Sequence, residues 1–423
     1  MKIVADLHIH SKYSRAVSQE MTLENIDVWA RKKGIQVMAT GDFTHPQWFN
    51  EIKTKLKQSE DGLYKIPARL RYDEVVAGGQ NTRFMLTTEI SSIYSKNGKT
   101  RRIHNLIFAP SIEAVEKINT KLGWIGNLKS DGRPILGLDS KELLKIVLDA
   151  DEKCVLVPAH AWTPWFSIFG SMSGFNSIEE CFEEMSPHIF AIETGLSSDP
   201  SMNWRLSALD KISLISNSDS HSLQKLGREA NVFDCELSYG GIIDVIKSKD
   251  PKKFLYTIEF FPEEGKYHYD GHRDCGISFS PSETKKHGDK CPVCGKNLTV
   301  GVLNRVNELA DRKDGEKPAN VIPYKNLISL DEIIGEAFGV GPKSKKVMAA
   351  YEKLISALGS ELKILEESSY DEIAGASDQK IAEAVKKVRE GKVNIKPGYD
   401  GEYGKISIFG EDEKKEKPQA TLF

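Results

Sequence analysis

The chain has 423 residues, too many for one ordinary hydrophobic core, so roughly two or three domains are expected. Its 58 Lys and Arg stand against 61 Asp and Glu, a net charge of -3, so any contact with a polyanion must come from local patches. Six cysteines over this length exclude a disulfide framework and point to a reducing, cytoplasmic compartment, and no run is apolar enough for a signal peptide or membrane span, so no membrane partner is expected.

Through residues 1–260, short β-branched runs alternate with amphipathic stretches. Strands are predicted at 3–8, 35–40, 83–88, 103–109, 154–158, 190–193 and 213–217, with helices between several of them, such as 22–33, ended by Gly34, and 139–150. Regular β-then-α alternation predicts an α/β parallel sheet or barrel. A closed barrel of seven strands is preferred, because it lets residues more than 200 positions apart meet at one mouth, whereas an open sheet spreads them along a line.

Where these apolar runs stop, polar residues of one kind recur. Six of the ten histidines lie in Asp-Leu-His8-Ile-His10, Thr-Gly-Asp42-Phe-Thr-His45, Ile-His104-Asn, Pro-Ala-His160 and Ser-Asp219-Ser-His221, with Glu89 after Thr-Thr. Side chains alternate along a strand with period two, so His8 and His10 point one way, as do Asp219 and His221, and each pair can chelate an ion. A lone histidine at a strand end is usually a satisfied polar residue, but nine such groups in succession form a metal site. Imidazole and carboxylate in this ratio suit zinc, manganese or iron rather than calcium, and the ligands outnumber the needs of one tetrahedral ion, so two or three ions are expected. Asp219 is the candidate bridging or water-orienting carboxylate. His45 is a ligand, a proton donor or a substrate contact. Clustered ions at a barrel mouth suit phosphate-ester hydrolysis. Neither a Gly-x4-Gly-Lys-Ser/Thr loop nor a Gly-x-Ser-x-Gly elbow occurs, which excludes P-loop NTPases and the commonest serine hydrolases.

After His160, the stretch Ala-Trp162-Thr-Pro-Trp165-Phe166 is either a hydrophobic loop covering the mouth or a set of faces that stack on an exposed base. A second unit, 261–300, carries His272-Arg-Asp-Cys275 and Cys291-Pro-Val-Cys294-Gly, a four-ligand set for one structural zinc in which His268 or His287 is the alternative fourth ligand. A helical unit follows at 301–409, with helices at 302–312 and 343–358. Within it, Gly339-Val-Gly341-Pro-Lys343-Ser-Lys345 is either an ordinary interhelical turn or a hairpin whose backbone amides and lysines hold DNA phosphates. The charged tail 410–423 is expected to be disordered.

The constellation of His8, His10, Asp42, Glu89, His104, His160, Asp219 and His221 resembles the polymerase and histidinol phosphatase (PHP) superfamily of metal-dependent phosphoesterases. That resemblance implies a distorted seven-stranded α/β barrel with two or three metals over roughly the first 240 residues. Two departures are visible: Ser14-Arg15-Ala16 stands where many members carry a further histidine, and Thr-Gly-Asp42 where the usual pattern is Thr-Asp-His. The whole architecture, through Cys294 to Pro397-Gly-Tyr-Asp-Gly-Glu-Tyr-Gly404, resembles the endonuclease Q family. This implies a nucleoid-associated repair enzyme acting on damaged DNA, nicking 5′ to hypoxanthine, uracil, xanthine or an abasic site, with zinc, magnesium or manganese in the barrel. The C-terminal Gln419-Ala-Thr-Leu422-Phe423 resembles the start of the motif by which repair enzymes bind a sliding clamp. A phosphatase or exonuclease of the same superfamily and a non-catalytic DNA-binding scaffold are the competing functions.

Overall fold

The computed structural model describes residues 1–72 and 81–410, so the tail residues Gln419, Leu422 and Phe423 lie outside the described residues. Seven strands in the first half of the chain correspond to the predicted runs: β1 (Lys2–Asp6), β2 (Val37–Ala39), β3 (Arg83–Lys96), β4 (Lys99–Ala109), β5 (Val155–Pro158), β6 (Ala191–Glu193) and β7 (Ser213–Ile215). They fall within or overlap the seven predicted runs. β1, β2 and β3 pair in parallel, β4 runs antiparallel to both β3 and β5, and β6 and β7 form a separate parallel pair. Single bonds bridge the gaps: Ala161 N donates to Glu193 O (2.9 Å), and His10 N to Ser220 O (3.0 Å). Leu7 N donates to Asn217 Oδ1 at 2.9 Å.

The expectation of all-parallel strands is corrected at β4. Asn97 and Gly98, with φ of 54° and 72°, make the two-residue turn whose left-handed backbone matches the twist of a hairpin, so β3 folds straight back into β4. Leu106, Phe108, Val155, Val157, Ala191 and Ile215 pack together in one buried cluster.

Helices cover the outside, and their ends follow from local chemistry. α1 (Leu23–Lys33) starts where the Thr22 hydroxyl accepts from Asn25 N and stops at left-handed Gly34, with Arg31, Lys32 and Lys33 in the last turn. α2 (Pro46–Lys55) begins with proline at its first turn; α3 (Ile112–Ile125) and α4 (Ser140–Ala150) are capped by Ser111 and Asp139. Two further strands, β8 (Ala230–Asp234) and β9 (Phe254–Glu259), extend the sheet antiparallel from β1, and β10 (Tyr324–Asn326) adds to β9 in parallel. Residues beyond 300 therefore contribute to the large sheet.

Five helices follow, from Leu330–Phe338 to Gln379–Arg389, around Ile334, Val347, Leu354, Ile364 and Val385. They join α1 through a buried ion pair, Lys33 Nζ to Glu361 Oε2 at 2.7 Å, beside Trp29 stacked on Tyr351. Among the described residues no helix is long and apolar enough to cross a membrane.

Candidate metal centre

Two ligand groups meet at one end of these strands. His8, His10 and Asp219 form the first, and Glu89, His104 and His160 the second. In the first, Asp219 Oδ1 lies 3.1 Å from His10 Nε2 and 3.6 Å from His8 Nε2. In the second, Glu89 Oε1 lies 2.8 Å from His104 Nδ1 and 3.1 Å from His160 Nε2. Glu89 Oε2 faces the other way, 3.3 Å from His10 Nε2. Glu89, rather than Asp219, is thus the carboxylate that reaches both groups. His104 can take part because β4 is antiparallel: the N-terminal half of that strand lies at the same end as the C-terminal ends of its neighbours, with His104 paired to Ser91, two residues past Glu89.

The chemistry of these groups calls for cations. His8 Nε2, His10 Nε2 and Asp219 Oδ1 are buried and make no hydrogen bond, an arrangement costly for polar atoms unless something else binds them. Burial alone would lower the pKa of His8 and His10, yet Glu193 and Asp219 around the first and Asp42 around the second outweigh it and raise both well above the imidazole range. Burial would raise Glu89 and Asp219, but His104 and Arg133 hold the former, and His8 and His10 the latter, well below the carboxylate range. Burial pushes His104 down to about 4, the neutral form that ligates metal. The carboxylates thus draw positive charge to the point where the imidazole lone pairs converge, and a divalent ion in each group would satisfy both.

The remaining predicted residues surround this pair. His221 sits with its ring 4.8 Å from His10, and its Nδ1–H donates to Asp219 O, which leaves Nε2 for an ion. Asp42 stands apart from both groups. Its Oδ1 accepts from His10 Nδ1 (3.0 Å) and its Oδ2 from Ser11 N, Ser11 Oγ and Ser14 Oγ, so Ser14 and Asp42 bond to each other. His45 joins neither group; it stacks on Tyr13 at 4.4 Å and lines a cavity of about 590 Å³ with Gln47, Asn50 and Lys129.

Sequence reasoning missed two residues. Glu193, fully buried, holds His8 Nδ1 at 3.0 Å and also accepts from His160 N and Asn217 Nδ2. Its signal was present, since it ends the one predicted strand to which no ligand was assigned. Arg133 donates from Nη1 to Glu89 Oε2 at 3.0 Å and comes from an irregular loop with no periodic signal. Backbone strain also marks the site: Asp42, His160, Phe166 and Asp219 are non-glycine residues with φ of 49°, 29°, 62° and 44°. Gly195 packs so closely on His160 that a Cβ would lie 2.5 Å from the histidine Cβ.

In the second unit His272, Cys275, Cys291 and Cys294 come together as a group, which selects His272 over His268 and His287. His272 Nδ1 lies 3.7 Å from Cys294 Sγ, while His287 stacks on Phe279. Burial would raise the Cys291 thiol, but backbone N–H groups of Cys294 and Val293 hold it below its ordinary value, toward the thiolate that binds zinc.

The aromatic segment divides. Trp162 is a core residue, 1% exposed, its Nε1 donating to Asn203 Oδ1 at 2.7 Å, and burial leaves it no face for a base; the expected DNA contact is corrected there. Trp165 and Phe166 are half-buried, the first against Tyr267 and the second 4.8 Å from the His104 ring. Gly339, Gly341, Lys343 and Lys345 stand exposed between the helices Leu330–Phe338 and Lys345–Leu358.

Fold and site together define a mixed α/β protein with two facing metal-ligand groups and a separate Cys/His cluster. The chain is similar over 99% of its length to the crystal structure of the lesion-specific endonuclease PfuEndoQ from Pyrococcus furiosus, covering 98% of that chain at 31% identity and a TM-score of 0.84. It is equally similar, at 31% identity and TM-score 0.84 over all of both chains, to Endonuclease Q in complex with a 27-mer duplex bearing an abasic lesion. The uncharacterized protein YqxK of Bacillus subtilis is 30% identical over 96% of this chain and 99% of its own. The chain belongs to the endonuclease Q family. Residues 329–392 match the family model of the MJ0043 C-terminal domain, and the chain spans about a third (33%) of the length of the uncharacterized MJ0043 protein of Methanocaldococcus jannaschii, to which it is 36% identical over 62% of this chain.

Proposed function

We propose that this chain is a metal-dependent DNA repair endonuclease that hydrolyses the phosphodiester bond 5′ to a deaminated base or abasic site, leaving a 3′-hydroxyl and a 5′-phosphate. The observation that carries this is Glu89 joining two ligand groups, in the first of which His8 Nε2 and His10 Nε2 are buried without a hydrogen-bond partner. Divalent ions bound there would supply an activated water and neutralise phosphoryl charge. His8, His10 and Asp219 would hold one, with His221 beside it, and Glu89, His104 and His160 the other; Glu193 and Asp42 orient His8 and His10 through their Nδ1 atoms.

The strands β1–β7 are read as a distorted seven-stranded PHP barrel over 1–260. The zinc-bearing unit 261–300 and the helical unit 301–409 grip the duplex, with phosphates at the Gly339–Lys345 hairpin and a base face at Trp165 and Phe166. A lesion that pairs poorly costs less to extrude, which favours damaged sites. Contact with a sliding clamp through Gln419, Leu422 and Phe423 rests on the sequence motif alone. A small-molecule phosphatase would leave the Cys/His cluster and the lysine hairpin without a task.

Replacing Asp219 with Ala tests the assignment. Nicking of a lesion duplex should be abolished while the affinity for that duplex is retained; parallel loss of both would contradict it.

A further inference from the structure

Next to the two ligand groups is a cation, Arg133, that is only partly engaged by them. Arg133 donates one N–H from Nη1 to Glu89 Oε2, its side chain is 28% exposed, and among the described residues its remaining guanidinium N–H groups meet no protein partner. Its segment is fastened from both sides. Gly132 N donates to Tyr13 O (3.1 Å), Ser91 N to Pro134 O (3.0 Å), and Arg133 N to Asp131 Oδ1 (3.1 Å). Gly132 lies so close to the centre that a Cβ there would be 2.3 Å from both Asp42 Oδ2 and Ser14 Oγ, so no other residue fits. A loop anchored at this many points delivers a fixed planar donor to the rim of the centre, with one edge on the shared carboxylate and the other toward solvent.

We propose that Arg133 grips the phosphate to be cleaved, donating to a non-bridging phosphoryl oxygen while Glu89 fixes its plane. The proposal rests on the endonuclease reading for its substrate. A guanidinium suits this place because its fork holds two anions in set directions, which an ammonium cannot do. Negative charge that builds on the phosphoryl oxygens during in-line displacement then meets a donor that need not move. A bland alternative is that Arg133 only neutralises buried Glu89, in which case its removal disturbs the metal groups themselves.

Single-turnover nicking of a lesion duplex by the metal-loaded Arg133→Ala and Arg133→Lys proteins, with metal content by elemental mass spectrometry, separates the two. The Ala variant should lose about 100-fold or more in rate and keep its full metal complement. Its duplex affinity in chelator should fall less than about threefold, since many other phosphates are held. Added guanidinium ion should restore part of the rate, and the Arg133→Lys variant should recover less than full activity. Metal loss in step with rate, or an unchanged rate in the Ala variant, would overturn the proposal. A wild-type protein that leaves every lesion duplex intact would sink the endonuclease reading instead. Arg133 is then judged by phenylglyoxal labelling of the metal-loaded protein, where inorganic phosphate should protect it and absence of protection would overturn the assignment.

Discussion

Glu193 is the most informative residue to perturb, because it touches no proposed ion and yet fixes two of the groups that would. Its carboxylate accepts three N–H donors: His8 Nδ1 at 3.0 Å, His160 N at 2.7 Å and Asn217 Nδ2 at 2.9 Å. Glu193→Gln keeps the shape but offers one acceptor and one donor, so whichever way the amide turns, its NH2 faces a donor. At least one hydrogen bond to a charged acceptor is lost, about 1.5–3 kcal/mol, and His8 is freed to rotate Nε2 away from Asp219. This agrees with the 10–100-fold loss of metal affinity typical of outer-shell changes, about 1.4–2.7 kcal/mol. Chelator-competition titration of the variant against wild type measures it, with urea unfolding in chelator as a control for the fold. Affinity within twofold of wild type would refute the claim that Glu193 orients the site.

Cys291→Ser should remove one equivalent of zinc per chain and open the 261–300 unit to protease, leaving the metal bound by the histidine groups in place; elemental analysis reads both. Lys33→Met strands the buried Glu361, which otherwise accepts from Lys33 Nζ at 2.7 Å, and should cost about 3 kcal/mol in chemical denaturation. Burial raises Glu259 to about 8 from an ordinary 4.5, so its protonated form stabilises the fold fully at low pH and that contribution is lost as pH rises toward 8. Glu259→Gln should therefore flatten the stability profile between pH 5 and 8, removing a slope on the order of 1 kcal/mol per pH unit; an unchanged slope would contradict the assignment.

Strands and the polar residues at their ends were legible in the sequence for a physical reason. A buried strand needs a continuous apolar run, and a functional residue at its end interrupts that run with an imidazole or carboxylate. His8, His10, Glu89, His104, His160 and Asp219 were singled out in this way, and the structure brings their side chains together. Strand direction was less legible because alternation with helices dominates the pattern, although Asn97-Gly98 carried the hairpin signal that reverses β4. Asp42 reads like a ligand in sequence, and only the positions of Ser11 and Ser14 reveal that its oxygens are engaged elsewhere. Arg133 reaches Glu89 from a loop without periodicity, and Trp162 was read from an aromatic-rich segment whose burial is a tertiary property.

The central claim is that the paired ligand groups make this chain a lesion-directed, metal-dependent nuclease. A 5′-labelled duplex carrying one deoxyinosine, beside an undamaged control, with manganese or magnesium and with chelator, tests it most directly. A single cut immediately 5′ to the lesion, absent in chelator and absent from the control, is the predicted result. No cut at inosine, uracil or abasic sites, together with turnover of small phosphate monoesters, would contradict it.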